Sequence, residues 1–445
     1  MTDCNTDRML FSNLGGREIQ ADFGGGWLTS DAGALLLRQA DQRIGLIDAI
    51  DRVIPDPRDF RFIQHSQRSM IAQRIISLAL GYEDLNDQQA LRHDPLLQTI
   101  ADRIPDPDQP LASPPTLCRL ENRVDRKTLM QIAGVLVDQF IASYATCPEE
   151  LILDFDATDD PIHGDQEGRF YHGYYEHDCF LPLYVFCGER LVASYLRRSN
   201  IDGAKHAWAI LKLLVDRLRA VWPDVRIIVR GDSGFCRWKM MRWCDRHGIY
   251  YILGIARNAV LERLALPWTV PARWHHQRTG DKVRLFGVLS YAAKTWDRTR
   301  RVIVKAEHTE HGANPRFVVT NLPGDPHELY DQLYCQRGEM ENRIKEQQLY
   351  LYADRTSCHH FLANHLRLMF SSAAYILMQT LRQIGLAGTD LARAQVQTIR
   401  MKLMKIAARV NVSARRIIFH LASGCPYQIL FRNVAQRLNV LMDTG

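Results

Sequence analysis

Short apolar runs alternate with amphipathic runs between residues 151 and 254, and this alternation restricts the fold more than any other feature. Strands are predicted at residues 151–156, 180–187, 191–196, 225–229 and 249–254, and helices at 203–221 and 236–247. Gly188-Glu189-Arg190 is short enough to connect a two-stranded hairpin. The predicted order is therefore strand, hairpin, helix, strand, helix, strand, which is typical of a mixed α/β sheet with helices on its faces.

The remaining segments have other patterns. Capping signals and apolar periodicity predict helices in residues 1–148, with the sheet region at 149–257. Residues 258–322 contain β-like runs and are predicted to be a β-rich insertion. A long helix is predicted from Pro326 within residues 323–385, and helices are expected to continue through a basic region at 386–445.

Positive charge is concentrated at the C-terminal end. The chain has a formal net charge of +6, but residues 331–445 alone carry 15 Lys/Arg and 7 Asp/Glu. Such a segment attracts a polyanion, most plausibly nucleic acid, although a solvated basic helix face is an equal alternative. The candidate DNA contacts in this region are Arg400, Lys402, Lys405 and Arg409.

A second candidate DNA contact lies near residue 114. Ser113 followed by two prolines predicts a helix start, and the helix carries Arg119 and Arg123. It could enter a DNA groove, while a surface helix in a bundle is at least as plausible.

Several classes of protein do not fit the sequence. No apolar run of about 18 residues occurs, so no membrane-spanning helix is expected. The N-terminus lacks a secretory pattern. The ten cysteines include no C-x-x-C pair, which predicts reduced thiols in a cytoplasmic protein rather than disulfides or a zinc site.

Four carboxylates have positions that suggest chemistry. Asp154 and Asp156 share one face of a predicted strand, and Asp232 follows the end of another. Glu341 lies on the helix after the insertion, 109 residues beyond Asp232. Mg²⁺ prefers carboxylate oxygens, and two such ions about 3.5–4 Å apart can promote phosphodiester cleavage. Each residue alone also has an ordinary structural explanation as a cap, a turn residue or a surface ion-pair partner.

Three motifs together resemble DDE transposases of bacterial insertion sequences, in the cut-and-paste branch with a Tyr-Arg-Glu-Lys signature. They are Asp156-Ala157-Thr158, Arg230-Gly231-Asp232-Ser233-Gly234-Phe235 and Tyr334-x-x-Arg337-x-x-x-Glu341. The resemblance implies an RNase H-like catalytic domain formed by residues 149–257 and 323–385. It favours Asp156 over Asp154 as the first catalytic acid, with Asp154 kept as a supporting residue. The lysine of the signature would fall at position 348, which is Gln, so Lys345 is expected to contact a phosphate instead.

The resemblance also implies a mechanism and partners. Asp156, Asp232 and Glu341 would be catalytic and would hold two Mg²⁺ ions, with Mn²⁺ expected to substitute, while Tyr334 and Arg337 position phosphates. DNA would be cut at the element's terminal inverted repeats and joined to target DNA by a homodimer that associates with the nucleoid. Tryptophan in the insertion (Trp268, Trp274 or Trp296) would stack on a base. A nuclease that cuts without joining, and a non-catalytic DNA-binding protein, are the alternatives.

Overall fold

The computed structural model describes residues 8–439, which form two compact units. One unit contains residues 8–51, 56–120 and 380–439, so it combines the two ends of the chain. The other contains residues 52–55 and 121–379. We call them the terminal unit and the sheet unit.

The strands are β1 (Met9–Leu14), β2 (Arg17–Ala21), β3 (Leu28–Thr29), β4 (Glu150–Ala157), β5 (Asp160–Pro161), β6 (Phe170–His172), β7 (His177–Phe180), β8 (Leu183–Cys187), β9 (Arg190–Tyr195), β10 (Arg226–Gly231), β11 (Tyr250–Ile255), β12 (Val283–Tyr291), β13 (Arg300–Thr309), β14 (Gly312–Ala313), β15 (Arg316–Thr320), β16 (Ala408–Val412) and β17 (Ile417–Leu421).

The helices are α1 (Leu35–Ile44), α2 (Leu46–Val53), α3 (Gln67–Leu80), α4 (Gln88–Leu91), α5 (Pro95–Ile100), α6 (Pro114–Glu121), α7 (Arg126–Ala142), α8 (Ala207–Val221), α9 (Trp238–Arg246), α10 (Ala259–Leu264), α11 (Leu266–Thr279), α12 (Pro326–Glu328), α13 (Gly338–Leu351), α14 (Phe361–Thr380), α15 (Val396–Ile399) and α16 (Gln428–Asn439). Turns of 3₁₀ and π type join α12 to α13, so residues 326–351 form one helical run.

A large mixed sheet organises the sheet unit. Its strand order is β12-β13-β15-β11-β10-β4-β8-β9, with β14 beside β13. Strand β10 runs parallel to both β4 and β11, and the other pairs are antiparallel. The predicted mixed α/β fold is therefore confirmed.

The alternation of side chains along β4 divides the chemistry between the two faces of this sheet. Leu151, Leu153 and Phe155 enter an apolar core with residues of α7, α8 and α9. Ile152 belongs to a smaller cluster on the other face, which includes Tyr330 of the helical run 326–351. Asp154 and Asp156 have the parity of Ile152, so they share the face on which this helical run packs.

Most predicted elements of the sheet unit are present. Strands β4, β9, β10 and β11 lie where apolar runs predicted them, and β8 and β9 form the predicted hairpin. The single strand predicted at 180–187 is instead two, β7 and β8, because Pro182 between them has no N–H for a ladder. The predicted β-rich insertion begins with two helices, α10 and α11, and its strands extend the central sheet.

The terminal unit is built around α3, in which almost every residue is buried. Ser66 caps this helix by accepting a hydrogen bond from the Ser69 N–H at 3.2 Å. Gly33 lets two segments of the unit approach closely, because a Cβ there would lie 1.7 Å from the Leu403 carbonyl oxygen.

The C-terminal region differs from its prediction, because it contains the antiparallel hairpin β16–β17 as well as helices. Val410, Val412, Ile417 and Ile418 supply the β-branched side chains that favour strands. The high density of basic residues concealed this pattern from a helical interpretation.

No helix within residues 8–439 is both long enough and apolar enough to cross a membrane.

Stability of the sheet unit is expected to depend on pH through His365. Burial lowers the pKa of this fully enclosed imidazole to about 3, whereas in the unfolded chain it titrates near 6.5. The unfolded chain therefore binds more protons between these values, and the free energy of unfolding falls as pH falls below about 6.5. The expected contribution is up to about 1.4 kcal/mol per pH unit.

Urea unfolding followed by tryptophan fluorescence checks this prediction, since seven of the eight tryptophans lie in the sheet unit. His365→Gln should flatten the pH dependence between pH 6.5 and 4, while the exposed-site control His275→Gln should leave it unchanged. Equal slopes in His365→Gln and the unaltered chain would contradict it.

Candidate active site

Two aspartates meet at one edge of the sheet. Asp156 is the penultimate residue of β4, and Asp232 directly follows β10. These strands are parallel, with Arg230 opposite Asp154 and Gly231 opposite Phe155, so Asp232 comes next to Asp156. The carboxyl ends of parallel strands are where open α/β sheets bind ligands.

Glu341 approaches this edge from the helical run 326–351. Arg337, one turn before it on the same run, contacts Asp156 Oδ2 through Nη1 at 3.3 Å and Glu341 Oε1 through Nη2 at 3.1 Å. One guanidinium group therefore bridges the Asp156 and Glu341 carboxylates. The sheet edge and the helix are joined across the predicted site by charge-assisted hydrogen bonds.

Electrostatics couple the three acids. Burial raises the pKa of Asp156 to about 6; Arg337 opposes this shift, and the nearby charges of Asp232 and Glu341 add to it. Burial would lower the pKa of Arg337, but the charges of Asp156, Tyr334, Asp232 and Glu341 leave it raised. Like charges brought this close favour a bound cation, which here is the arginine.

Asp154 has a different partner. It is buried, and its Oδ2 accepts a hydrogen bond from Arg230 Nη2 at 2.6 Å, with a second contact from Nε to Oδ1. Arg230 also donates to the Leu333 carbonyl, which ties β10 to the helical run. This ion pair holds the Asp154 carboxylate away from the exposed edge where Asp156 lies.

Tyr334 lies against the neighbouring strand. A Cβ at Gly254 of β11 would be 2.6 Å from the Tyr334 hydroxyl oxygen and 2.9 Å from the Ser233 nitrogen. Only glycine leaves room there for both the tyrosine and the turn that follows Asp232. The charge of Asp232 is among those that act on the Tyr334 hydroxyl.

Gln348, at the position where the signature would have lysine, fastens α13 to the chain beyond β4. Its Nε2 donates to the Asp159 carbonyl at 3.0 Å and to Asp160 Oδ1 at 3.1 Å. Asp160 is fully buried, and burial raises its pKa well above the usual range. Lys345, in contrast, is exposed and forms no ion pair within the described part of the chain.

The donor set fits a divalent cation by its chemistry. Asp156, Asp232 and Glu341 offer only carboxylate oxygens, the ligands that Mg²⁺ and Mn²⁺ prefer. In residues 8–439, no three His, Cys, Asp or Glu side chains are already spaced to hold a metal ion. Arg337 lies between two of the three acids, so a metal ion would have to displace it.

The predicted DNA contacts outside this site occupy varied positions. Arg119 and Arg409 are exposed and Arg123 is half-buried. Lys402 lies over the Tyr427 ring, and Lys405 pairs with Asp31 at 2.6 Å.

Arg400 is not placed to contact DNA, and the prediction for it is wrong. It is buried, and its guanidinium donates to the Ala79 carbonyl at 2.9 Å and to Gln397 at 2.7 Å. Carbonyl groups left over at the end of α3 need donors, and Arg400 supplies them.

The three tryptophans named above differ in exposure. Trp268 packs against Gly287, and Trp296 contacts Tyr291 with ring centroids 5.4 Å apart. Trp274 is 62% exposed and is the one available for stacking.

Sequence reasoning missed Arg230 and Gly254. Arg230 precedes Asp232 on a strongly apolar strand, and a charge there signals a buried partner. Gly254 interrupts the apolar strand β11, a pattern that marks close approach of another group.

Comparison with known proteins agrees with this geometry. The family model described as "Transposase DDE domain group 1" matches residues 11–443, and the chain belongs to this family. No curated protein matches. A cryo-EM structure of the piggyBac transposase synaptic complex with hairpin DNA shares 10% identity over 84% of this chain and 80% of that chain, with a TM-score of 0.42. Similarity this low supports no conclusion about this chain.

Replacement of Gly254 by alanine is expected to damage the site. In Gly254→Ala the new methyl group would push against the Tyr334 hydroxyl and the Ser233 backbone, displacing Asp232. We expect DNA cleavage to fall by about tenfold or more, since misplacement by about 1 Å can cost 10²-fold in rate.

Adding Tyr334→Phe to Gly254→Ala removes one of the two clashes and should restore part of the lost activity relative to Tyr334→Phe alone. Gly424→Ala, where a Cβ meets nothing within 4 Å, serves as the control. Full activity of Gly254→Ala in a cleavage assay would contradict the close approach.

Proposed function

We propose that this member of the transposase family cleaves DNA at the ends of a mobile element and joins the freed 3′ ends to target DNA. The observation that carries the proposal is the single guanidinium of Arg337 shared by Asp156 and Glu341, beside Asp232 at the ends of two parallel strands. It brings together acids that are 76 and 109 residues apart in sequence. An RNase H-like domain of the cut-and-paste branch is the architecture we propose for the sheet unit.

Each side chain at the edge then has a role. Asp156, Asp232 and Glu341 would hold two Mg²⁺ ions, or Mn²⁺ in their place. When bound, these ions would activate water as a nucleophile and stabilise the leaving oxygen. Arg337 would exchange its carboxylate partners for a DNA phosphate, and Lys345 would contact a phosphate one turn further along α13.

DNA binding is proposed to involve the basic C-terminal residues as well. Arg409, Arg415 and Arg416 lie on or beside the β16–β17 hairpin and are exposed. They give this hairpin a positive surface that suits the phosphate backbone of terminal inverted repeats. Arg119 on α6 is a further exposed candidate, and Trp274 could stack on a base.

We also propose a homodimer in the DNA complex, since two element ends must be cut in concert. The protein would act in a bacterial cytoplasm, on the nucleoid when bound to DNA.

Neutral replacement of any of the three acids is expected to abolish cleavage. Asp156→Asn, Asp232→Asn and Glu341→Gln each remove a negative ligand, and we expect losses on the order of 10³-fold or more in Mg²⁺-dependent cleavage of an end-bearing DNA. The matched control is Glu339→Gln, two residues from Glu341 on α13 with a side chain 71% exposed. DNA binding measured in EDTA should be unchanged in all four variants.

A strand-transfer assay with a pre-cut end separates the proposed activity from its alternatives. Joined product that requires all three acids is the expected result. Cleavage without joining would favour a nuclease, and neither activity with intact binding would favour a non-catalytic DNA-binding protein.

Arg337→Gln is expected to have opposite effects on metal binding and on cleavage. Without DNA, removal of the guanidinium frees Asp156 and Glu341, so calorimetric titration should show Mn²⁺ binding about tenfold tighter. Cleavage should fall, because a phosphate contact is lost. Arg343→Gln, on the same helix but paired with Glu189, should change neither property. Weaker Mn²⁺ binding by Arg337→Gln would contradict the bridging role.

A further inference from the structure

The sheet unit contains a cavity of about 390 Å³ that none of the three acids lines. Its walls come from four places: the first turn of α7, the end of β9, the loop before α8 and the start of α14. A volume of this size falls in the range of small-molecule sites, roughly 300–1,000 Å³.

The charge of the wall is one-sided. Arg126, Arg197 and Arg198 line the cavity, and no aspartate or glutamate does. Arg197 is buried and held by the Leu181 and Gly203 carbonyls, so its charge is fixed beside the cavity. Arg126 has no ion pair or hydrogen bond with any residue in the described range 8–439.

Other polar groups of the wall have no hydrogen-bond partner either. The Tyr195 hydroxyl, the Asn200 amide and the His206 ring form no side-chain hydrogen bond with residues that the structure describes. Tyr195 makes only edge contacts with two imidazoles, 6.0 Å from His206 and 4.9 Å from His365. Donors and acceptors are therefore available to a ligand along an aromatic wall.

His206 is also held in a strained backbone conformation. Its φ of 71° lies in the left-handed region, which costs a residue with a Cβ about 1–2 kcal/mol. It directly precedes α8 and provides no side-chain cap for this helix. Strain of this kind concentrates at binding sites, because a ligand contact compensates for it.

We infer that this cavity binds a nucleotide. Arg126, with the fixed charge of Arg197 behind it, suits a phosphate. The Tyr195 and Phe361 rings suit the faces of a planar base, and Asn200 can hydrogen-bond to its edge. A simple inorganic anion would leave the apolar and aromatic wall unused, and an uncharged ring would leave the arginines unused.

The cavity is connected to the acidic edge through one loop. Asp202, next to the cavity residue Ile201, pairs with Arg237, which lies five residues after Asp232. The nucleotide could therefore be free in solution or be the 5′-phosphorylated end of a DNA strand held at that edge. The second source rests on the proposed function, whereas the first does not.

Calorimetric titration of the full chain tests the site for a free nucleotide. The probes are dAMP, deoxyadenosine and inorganic phosphate. We expect dAMP to bind at least about tenfold more tightly than either part alone, and Arg126→Gln to weaken dAMP about tenfold without affecting deoxyadenosine. Tyr195→Phe should keep the ring contact, and Lys212→Gln, an exposed lysine on α8, is the matched charge control.

A DNA strand with 2-aminopurine at its 5′ end tests the second source in the Asp232→Asn chain, which should not cut it. Fluorescence quenching that needs the 5′-phosphate and is lost in Arg126→Gln would identify the strand end as the ligand. The inference is overturned if neither dAMP nor the strand end depends on Arg126. Loss of cleavage with dAMP binding intact would count against the proposed function alone.

Discussion

Three carboxylates at one edge of a sheet repel one another, and the site depends on a cation that holds them together. In this chain Arg337 supplies that cation from within the protein, bridging Asp156 of the sheet and Glu341 of α13. The same repulsion that raises the pKa of Asp156 makes the edge receptive to a divalent ion. Arginine and metal ion are thus alternative partners for one group of oxygens.

The sheet can present acids there because its two faces have separate tasks. The Leu153 face forms the large apolar core with the helices, and the opposite face receives the helical run that carries Glu341. Two contacts set the position of this run, Arg230 with the Leu333 carbonyl and Gln348 with Asp160. A buried pair of this kind is costly to break, about 3–5 kcal/mol when one partner is removed, so it fixes geometry more than it adds stability.

Sequence patterns predicted a good part of this arrangement. Apolar runs located β4, β10 and β11, and the two-residue period placed Asp154 and Asp156 on one face. The period could not distinguish the two acids, because the partner of Asp154 depends on the register between β4 and β10. The hairpin β16–β17 was obscured by its arginines. The burial of Arg400 depends on α3, which is more than 300 residues away in sequence.

The most direct test is a crystal structure of the protein grown with Mn²⁺, in which anomalous scattering locates the metal. The account predicts manganese bound by the carboxylates of Asp156, Asp232 and Glu341, with the Arg337 side chain moved away from at least one of its two acids. Manganese bound elsewhere, or Arg337 still bridging Asp156 and Glu341 at saturating metal, would contradict it.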